Sequence, residues 1–256
     1  MTIAKNGVMR TRDTKAGVLG ALSLLVTIIP PASADTWENR VSVYGWLAGI
    51  DGATRFPVDN PAPIEVDVSD IIDDIKMVFM GNYEGRSEKW SVLADVVYLD
   101  LGDSRNVDTA LGGARAGLDI KSWVVHGAVG YALPAPESTP VNLIAGVRYL
   151  SLDGELEASL GEGPGRSASE SESVTDAIIG VRGRVSLNEN WFLPYHADLG
   201  AGGSDYSYQL FGGVGYRAGT LDFEIGYRHI YFDLGDDRFM KEFQISGPAV
   251  GLGFRF

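Results

Sequence analysis

The chain has no cysteine, so no disulfide framework supports its fold, and in an oxidising compartment it has no thiols to mispair. Basic residues are scarce: 21 Lys and Arg stand against 34 Asp and Glu, a formal net charge of -13. That balance argues against nucleic acid as a partner. The sequence also lacks an apolar run long enough to cross a bilayer as a helix, because its one sustained run, Ala16 to Ile29, falls short of the roughly 20 residues required. A membrane protein without a spanning helix must be a closed barrel, the other structure that satisfies every backbone hydrogen bond in lipid.

Lys5, Arg10, Arg12 and Lys15 precede the apolar run, and Ala32-Ser33-Ala34 follows it. A charged start, an apolar centre and an A-x-A site predict a signal peptide over residues 1–34 and a single mature domain over 35–256. An uncleaved anchor is the competing reading, disfavoured by the shortness of the run. The composition is 45% apolar and 10% aromatic with 33 glycines, and the mean hydropathy is +0.02. Such a chain is too polar for helices in lipid but suits strands that show lipid at every second residue.

Ten stretches alternate with the period of two that marks a strand. They are Arg40 to Ile50, Lys76 to Gly85, Trp90 to Leu99, a strand within Ala114 to Ala132, Val141 to Leu152, Val174 to Leu187, Trp191 to Gly200, Tyr208 to Ala218, Leu221 to Asp233 and Phe243 to Phe256. Trp90, Val92, Ala94, Val96 and Tyr98 fall on one face, as do Trp123, Val125, Gly127, Val129 and Tyr131. Aromatic residues at both ends of an apolar face are the mark of the two interfacial girdles. Short links at Arg86 to Lys89, Pro134 to Pro140, Asn188 to Asn190 and Gly219 to Thr220 alternate with longer, polar ones, as periplasmic turns alternate with external loops. The expected fold is therefore all-β, a closed antiparallel transmembrane barrel of ten strands, or of eight if the first or seventh stretch is misread. A periplasmic β-sandwich or lipocalin-like barrel alternates in the same way and is the soluble alternative.

In the last stretch Val250, Leu252, Phe254 and Phe256 share one face, and Gly251, Gly253 and Arg255 the other. Extending that register around the barrel turns Glu84, Asp95, Asp198, Asp222 and Glu224 inward to face Arg148, Arg182, Arg184, Arg217, Arg228 and Arg255. A small barrel has room for little more than side chains, so opposed charges there form a network that fills it. The alternative is a narrow polar channel constricted by the same residues.

His196 and Asp198 are two apart on one strand and point to the same face, as a base and its orienting carboxylate would. No serine nucleophile is identifiable beside them, so no catalytic residue is assigned. His126 shares its inward parity with Ala128 and Gly130, and His229 sits between Tyr227 and Tyr231, where an interfacial ring is expected. The connection Asp51 to Ile75 is strongly acidic, and Ile71, Ile72 and Ile75 would share one face of a short helix over Val68 to Ile75, with Ser69 as its cap. Asp153 to Ser173 is rich in Gly, Ser and Glu and reads as a mobile loop. Calcium or magnesium could sit among so many carboxylates, but no EF-hand spacing is present and no metal or cofactor is assigned. The glycine clusters at Gly200 to Gly203 and Gly212 to Gly215 have no following helix, so they read as places of strand crowding or curvature and not as phosphate loops.

The final strand resembles the closing strand of Gram-negative outer-membrane β-barrels, whose assembly machinery favours a terminal aromatic. On that resemblance Phe256, with Phe254 and Leu252, forms an assembly signal. The mature chain as a whole resembles small barrels of the broad OmpA-like and OmpW-like class over nearly all of Asp35 to Phe256, and the stretch Tyr44 to Gly52 looks family-like. The resemblance implies export through the periplasm with the help of chaperones, residence in the outer membrane among its lipids and lipopolysaccharide, and contact with the barrel-assembly machinery. A structural or surface-interaction role is expected first and a narrow solute channel second. A lipid- or peptide-cleaving barrel built on His196 and Asp198 comes far behind.

Overall fold

The computed structural model describes residues 37–47, 49–54, 62–66, 75–109, 112–136, 138–160, 166–235, 238 and 240–256. The expected signal peptide over 1–34 lies outside them. The expected helix over Val68 to Ile75 does too, except for Ile75, which opens a strand. The described strands are β1 (Glu38–Trp46), β2 (Gly49–Thr54), β3 (Ala62–Val66), β4 (Ile75–Arg86), β5 (Trp90–Thr109), β6 (Gly112–Leu133), β7 (Val141–Leu160), β8 (Arg166–Ser186), β9 (Trp191–Gly202), β10 (Tyr206–Ala218), β11 (Leu221–Asp233) and β12 (Met240–Arg255).

Ten of these, β1 and β4 to β12, pair antiparallel in an unbroken ring. The seam is β1 on β12, running from Arg40 opposite Arg255 to Trp46 opposite Ala249. Asn39 and Phe256 exchange backbone hydrogen bonds of 3.0 and 2.9 Å at its end. A closed ring leaves no unpaired strand edge, the condition for strands to cross lipid. Beyond the seam β12 continues against β2, and β3 returns on β2, so the first connection carries a hairpin on the rim. The barrel is that of the outer-membrane type, with ten strands and not eight.

Alternation decides what each face meets. Outward positions include Ile179, Leu199, Ile225 and Phe254, at 59%, 66%, 60% and 50% exposure, an apolar surface that water would not tolerate at this extent. Aromatic pairs cap it at both ends. Trp90 meets Tyr131 and Trp191 meets Tyr216, each with ring centroids 5.0 Å apart, while Tyr98 meets Trp123 at 4.4 Å and Tyr206 meets Tyr231 at 5.6 Å. Trp90 and Tyr98 are separated by about 26 Å along a strand rising about 3.3 Å per residue, the scale of the ~25 Å apolar band of such barrels. The short links lie at the end that holds Glu38 and Arg255. The tightest, Gly219 and Thr220, has Gly219 at φ 62°, the conformation a two-residue hairpin asks of its first central residue.

Two expectations change. Asp153 to Ser173 is not a mobile loop in its described part: β7 runs to Leu160 and β8 starts at Arg166, in register from Asn142 opposite Arg182 to Ala158 opposite Arg166. Likewise β5 and β6 extend to Thr109 and Gly112, beyond the expected strand end at Leu99. The physical reason is visible at Asp153, Glu155 and Ser169 to Ser171, exposed on both faces. With water on both sides no apolar alternation is required, and the ladder alone holds the strands. Ser171 supports it by donating to Asp153 Oδ1 at 2.6 Å.

Inside, the barrel has two layers. Toward the connection-rich end Val97, Leu99, Val124, Leu150, Ile230, Phe232, Phe243 and Ile245 are 0–4% exposed and form one apolar cluster with Trp46 and Met80. Toward the terminal end the inward positions carry charge beside a smaller apolar cluster of Leu93, Ala128, Ile144 and Ile178.

Candidate functional site in the barrel lumen

The charged layer follows from parity. Val41 and Val43 face outward, so Arg40 and Ser42 face inward, and each neighbouring strand repeats the pattern. Glu84 of β4 is the first hub: Arg182 and Arg184 of β8 each place Nη2 3.0 Å from its Oε2, and Arg86 places Nη2 2.8 Å from its Oε1. Asp222 of β11 is the second hub, with Nε of Arg40, Arg255 and Arg217 at 3.2, 3.3 and 3.6 Å. Arg40 joins the two groups, because its Nη2 lies 2.7 Å from Glu224, which is itself 3.7 Å from Arg184. Three carboxylates thus hold six guanidinium groups around the barrel.

Farther in, Arg228 of β11 donates to Asp95 of β5 at 2.7 Å, to the Tyr44 hydroxyl at 2.6 Å and to Gln209 at 3.0 Å. The Tyr44 hydroxyl in turn donates to Asp95 at 3.0 Å. The guanidinium lies over the rings of Trp46 and Tyr44, 5.1 and 5.6 Å from their centroids, so its charge is met by a carboxylate on one side and π faces on the other. Beside it Arg148 of β7, with no exposed surface, pairs with Asp198 of β9 and donates to Ser207 at 3.3 Å. The second oxygen of Asp198 lies 2.5 Å from Nε2 of His196. His126 of β6 meets the His196 ring edge-on, with centroids 5.4 Å apart. Asp176 closes this layer by accepting from the backbone N–H and the hydroxyl of Ser204 at 2.9 and 2.6 Å.

All eleven lumenal charges named from the sequence, Glu84, Asp95, Arg148, Arg182, Arg184, Asp198, Arg217, Asp222, Glu224, Arg228 and Arg255, lie in these ion pairs. Sequence reasoning missed Arg40, Arg86, Asp176, Tyr44 and Gln209. For Arg40 and Tyr44 the signal was available, since the lipid-facing valines beside them fix which residues turn inward. Arg86 escaped notice because it was assigned to the link after the strand. A cavity of about 90 Å³ lies between the two charged groups, bounded among others by Arg40, Arg184, Asp95, His126, His196 and Arg228. Phe254, Phe256 and Leu252 stand on the outer face at 50%, 64% and 41% exposure, with the two phenyl rings stacked 5.9 Å apart.

No protein-family model matches the chain, and no curated protein sequence does. Solved structures that resemble it include the translocator domain of autotransporter NalP from Neisseria meningitidis, at 14% identity over 88% of this chain and 90% of that one, with a TM-score of 0.45. The outer membrane protease OmpT from Escherichia coli is similar at 12% identity over 88% and 99%, with a TM-score of 0.49. Ail, the attachment invasion locus protein of Yersinia pestis, matches at 15% identity over 87% and 100%, with a TM-score of 0.39.

Proposed function

We propose that this chain is exported to a Gram-negative outer membrane and serves there as a closed, non-conducting barrel whose function lies at its surface end. The observation that carries this reading is the apolar layer. Ile230, Phe232 and Ile245 are fully buried in the lumen, and an aqueous pore cannot pass a level at which side chains of this size have no water beside them. The charges below that level are engaged with one another, each arginine of the network on a carboxylate that it shares or holds alone, as structural filling of a small barrel requires. What remains for contact with other molecules is the rim built by the long β5–β6 and β7–β8 hairpins, whose described part carries Asp153, Glu155, Glu170 and Glu172. Its partners on this reading are lipopolysaccharide and neighbouring outer-membrane components, and the exposed terminal phenylalanine is recognised by the assembly machinery.

The test is single-channel recording of the refolded mature chain in a planar bilayer, on material shown to migrate as a heat-modifiable barrel. A silent bilayer is expected. Reproducible discrete steps that change with Arg182→Ala would replace this reading with the solute channel.

A further inference from the structure

Three metal-ligating side chains converge deep in the lumen: His126 of β6, and His196 and Asp198 of β9. All are buried, and their ligand atoms lie within 4.8 Å of one another. His126 is the member that the charge network does not explain. It is 1% exposed, and neither ring nitrogen has a hydrogen-bond partner. Asp95 and Arg148 flank it in register on the adjacent strands, but they are engaged with Arg228 and Asp198. Nδ1 of His196 is likewise without a partner. Buried imidazole nitrogens ordinarily find a partner, so the His126 ring, with neither nitrogen partnered and lying beside His196 and Asp198, points to a ligand that the three share.

The geometry fits an ion. Two imidazoles on a tetrahedral metal with bonds of about 2.0–2.1 Å stand with ring centres roughly 5 Å apart, and here the centroids are 5.4 Å apart with planes at 83°. Nε2 of His196 and Oδ2 of Asp198, 2.5 Å apart, would separate to roughly 3.3 Å on such an ion, and the His126 nitrogen, within 4.8 Å of the other ligand atoms, would come to the same spacing. Arg148 holds the other oxygen of Asp198, the outer-shell contact that fixes a ligating carboxylate. Both imidazoles border the cavity of about 90 Å³, which leaves room for a fourth ligand. Two nitrogens and one oxygen suit zinc and its neighbours in the first transition row, not calcium or magnesium.

We propose that His126, His196 and Asp198 bind one divalent ion of the zinc class, with a water or small anion from the cavity completing the tetrahedron. The inference is independent of whether the rim or the lumen performs the protein's task.

The experiment uses the mature barrel in detergent without a polyhistidine tag, stripped with chelator and titrated with zinc by calorimetry and with cobalt by visible absorption. One equivalent per chain and the intense bands of tetrahedral cobalt are expected. His126→Gln, checked for heat-modifiable migration, should weaken binding at least about tenfold. His229→Ala, on the outer face against Tyr208, should leave it unchanged. Substoichiometric or unsaturable binding by the wild type would overturn the proposal, as would equal affinity of His126→Gln or an equal loss in His229→Ala. The cobalt spectrum of the wild type decides even if His126→Gln does not fold, because an octahedral spectrum alone is incompatible with the site.

Discussion

Arg228 and Asp95, 133 residues apart in sequence, meet at 2.7 Å across the lumen and tie β11 to β5. Both side chains are under a tenth exposed, so the pair lives where an unmatched charge is costly. Asp95→Ala leaves the guanidinium buried without its carboxylate and is expected to cost about 3–5 kcal/mol. Adding Arg228→Met to that variant removes the stranded charge and should restore most of the loss. Urea unfolding in detergent, followed by tryptophan fluorescence, measures both. Equal losses in the single and the double variant would mean that the pair does not bear on stability as argued.

Tyr44 gives a finer test of the same group. Its hydroxyl donates to Asp95 and accepts from Arg228, so Tyr44→Phe keeps the ring beneath the guanidinium and deletes only two charge-assisted hydrogen bonds. A loss of about 1.5–3 kcal/mol is expected in the same unfolding measurement, smaller than that of Asp95→Ala. A neutral outcome would show that water replaces the hydroxyl.

The apolar layer makes its own prediction. Phe232 and Phe243 face each other in register with ring centroids 6.5 Å apart, and both are at most 1% exposed. Phe232→Ala should cost about 3–5 kcal/mol through the void it opens. The double substitution Phe232→Ala with Phe243→Ala should raise the frequency of conducting events in a planar bilayer above that of the wild type. If the double variant is as silent as its parent, another level closes the lumen.

How far the sequence reached depends on what each face meets. The ten barrel strands were legible because lipid on one side imposes strict alternation, and Trp90 to Tyr98 or Val250 to Phe256 can be read in only one register. The ends of β5 to β8 were not legible, because Asp153, Glu155 and Ser169 to Ser171 meet water on both faces and carry no periodic signal. Within the lumen, charge drew attention to Asp95 and Arg228, while Val97 and Leu99, of the same parity as Asp95, were equally inward and built the apolar layer. Contacts such as His126 against His196 join strands three apart around the ring, and no local spacing encodes them.

Adjacent glycines of β10 separate two effects. A Cβ on Gly213 would lie 2.5 Å from the backbone oxygen of Ile225 and 2.9 Å from Cα of Gly226, whereas a Cβ on Gly212 meets nothing within 4 Å. Backbone cannot yield as a flexible side chain can, so Gly213→Ala should destabilise by about 1–3 kcal/mol. Gly212→Ala, outward into the apolar belt, should be within about 0.5 kcal/mol of the wild type. The comparison is read from unfolding midpoints of the two variants side by side, and a neutral Gly213→Ala would mean that β10 and β11 are not tightly apposed at Gly213 and Gly226.

Phe256 offers a way to separate assembly from stability. Its side chain is 64% exposed on the outer face, whereas its backbone closes the seam with Asn39. Any residue at this position can make those backbone bonds, so Phe256→Ser should change the unfolding of the refolded barrel by no more than about 0.5 kcal/mol. In cells the same variant should show a several-fold drop in heat-modifiable, membrane-inserted protein if, as proposed, the assembly machinery reads the side chain. Deleting the residue removes the seam bonds as well and should lower both quantities. Full membrane insertion of Phe256→Ser would deny the terminal aromatic its role as an assembly signal in this chain, leaving it as one more member of the lipid-facing row with Phe254 and Leu252.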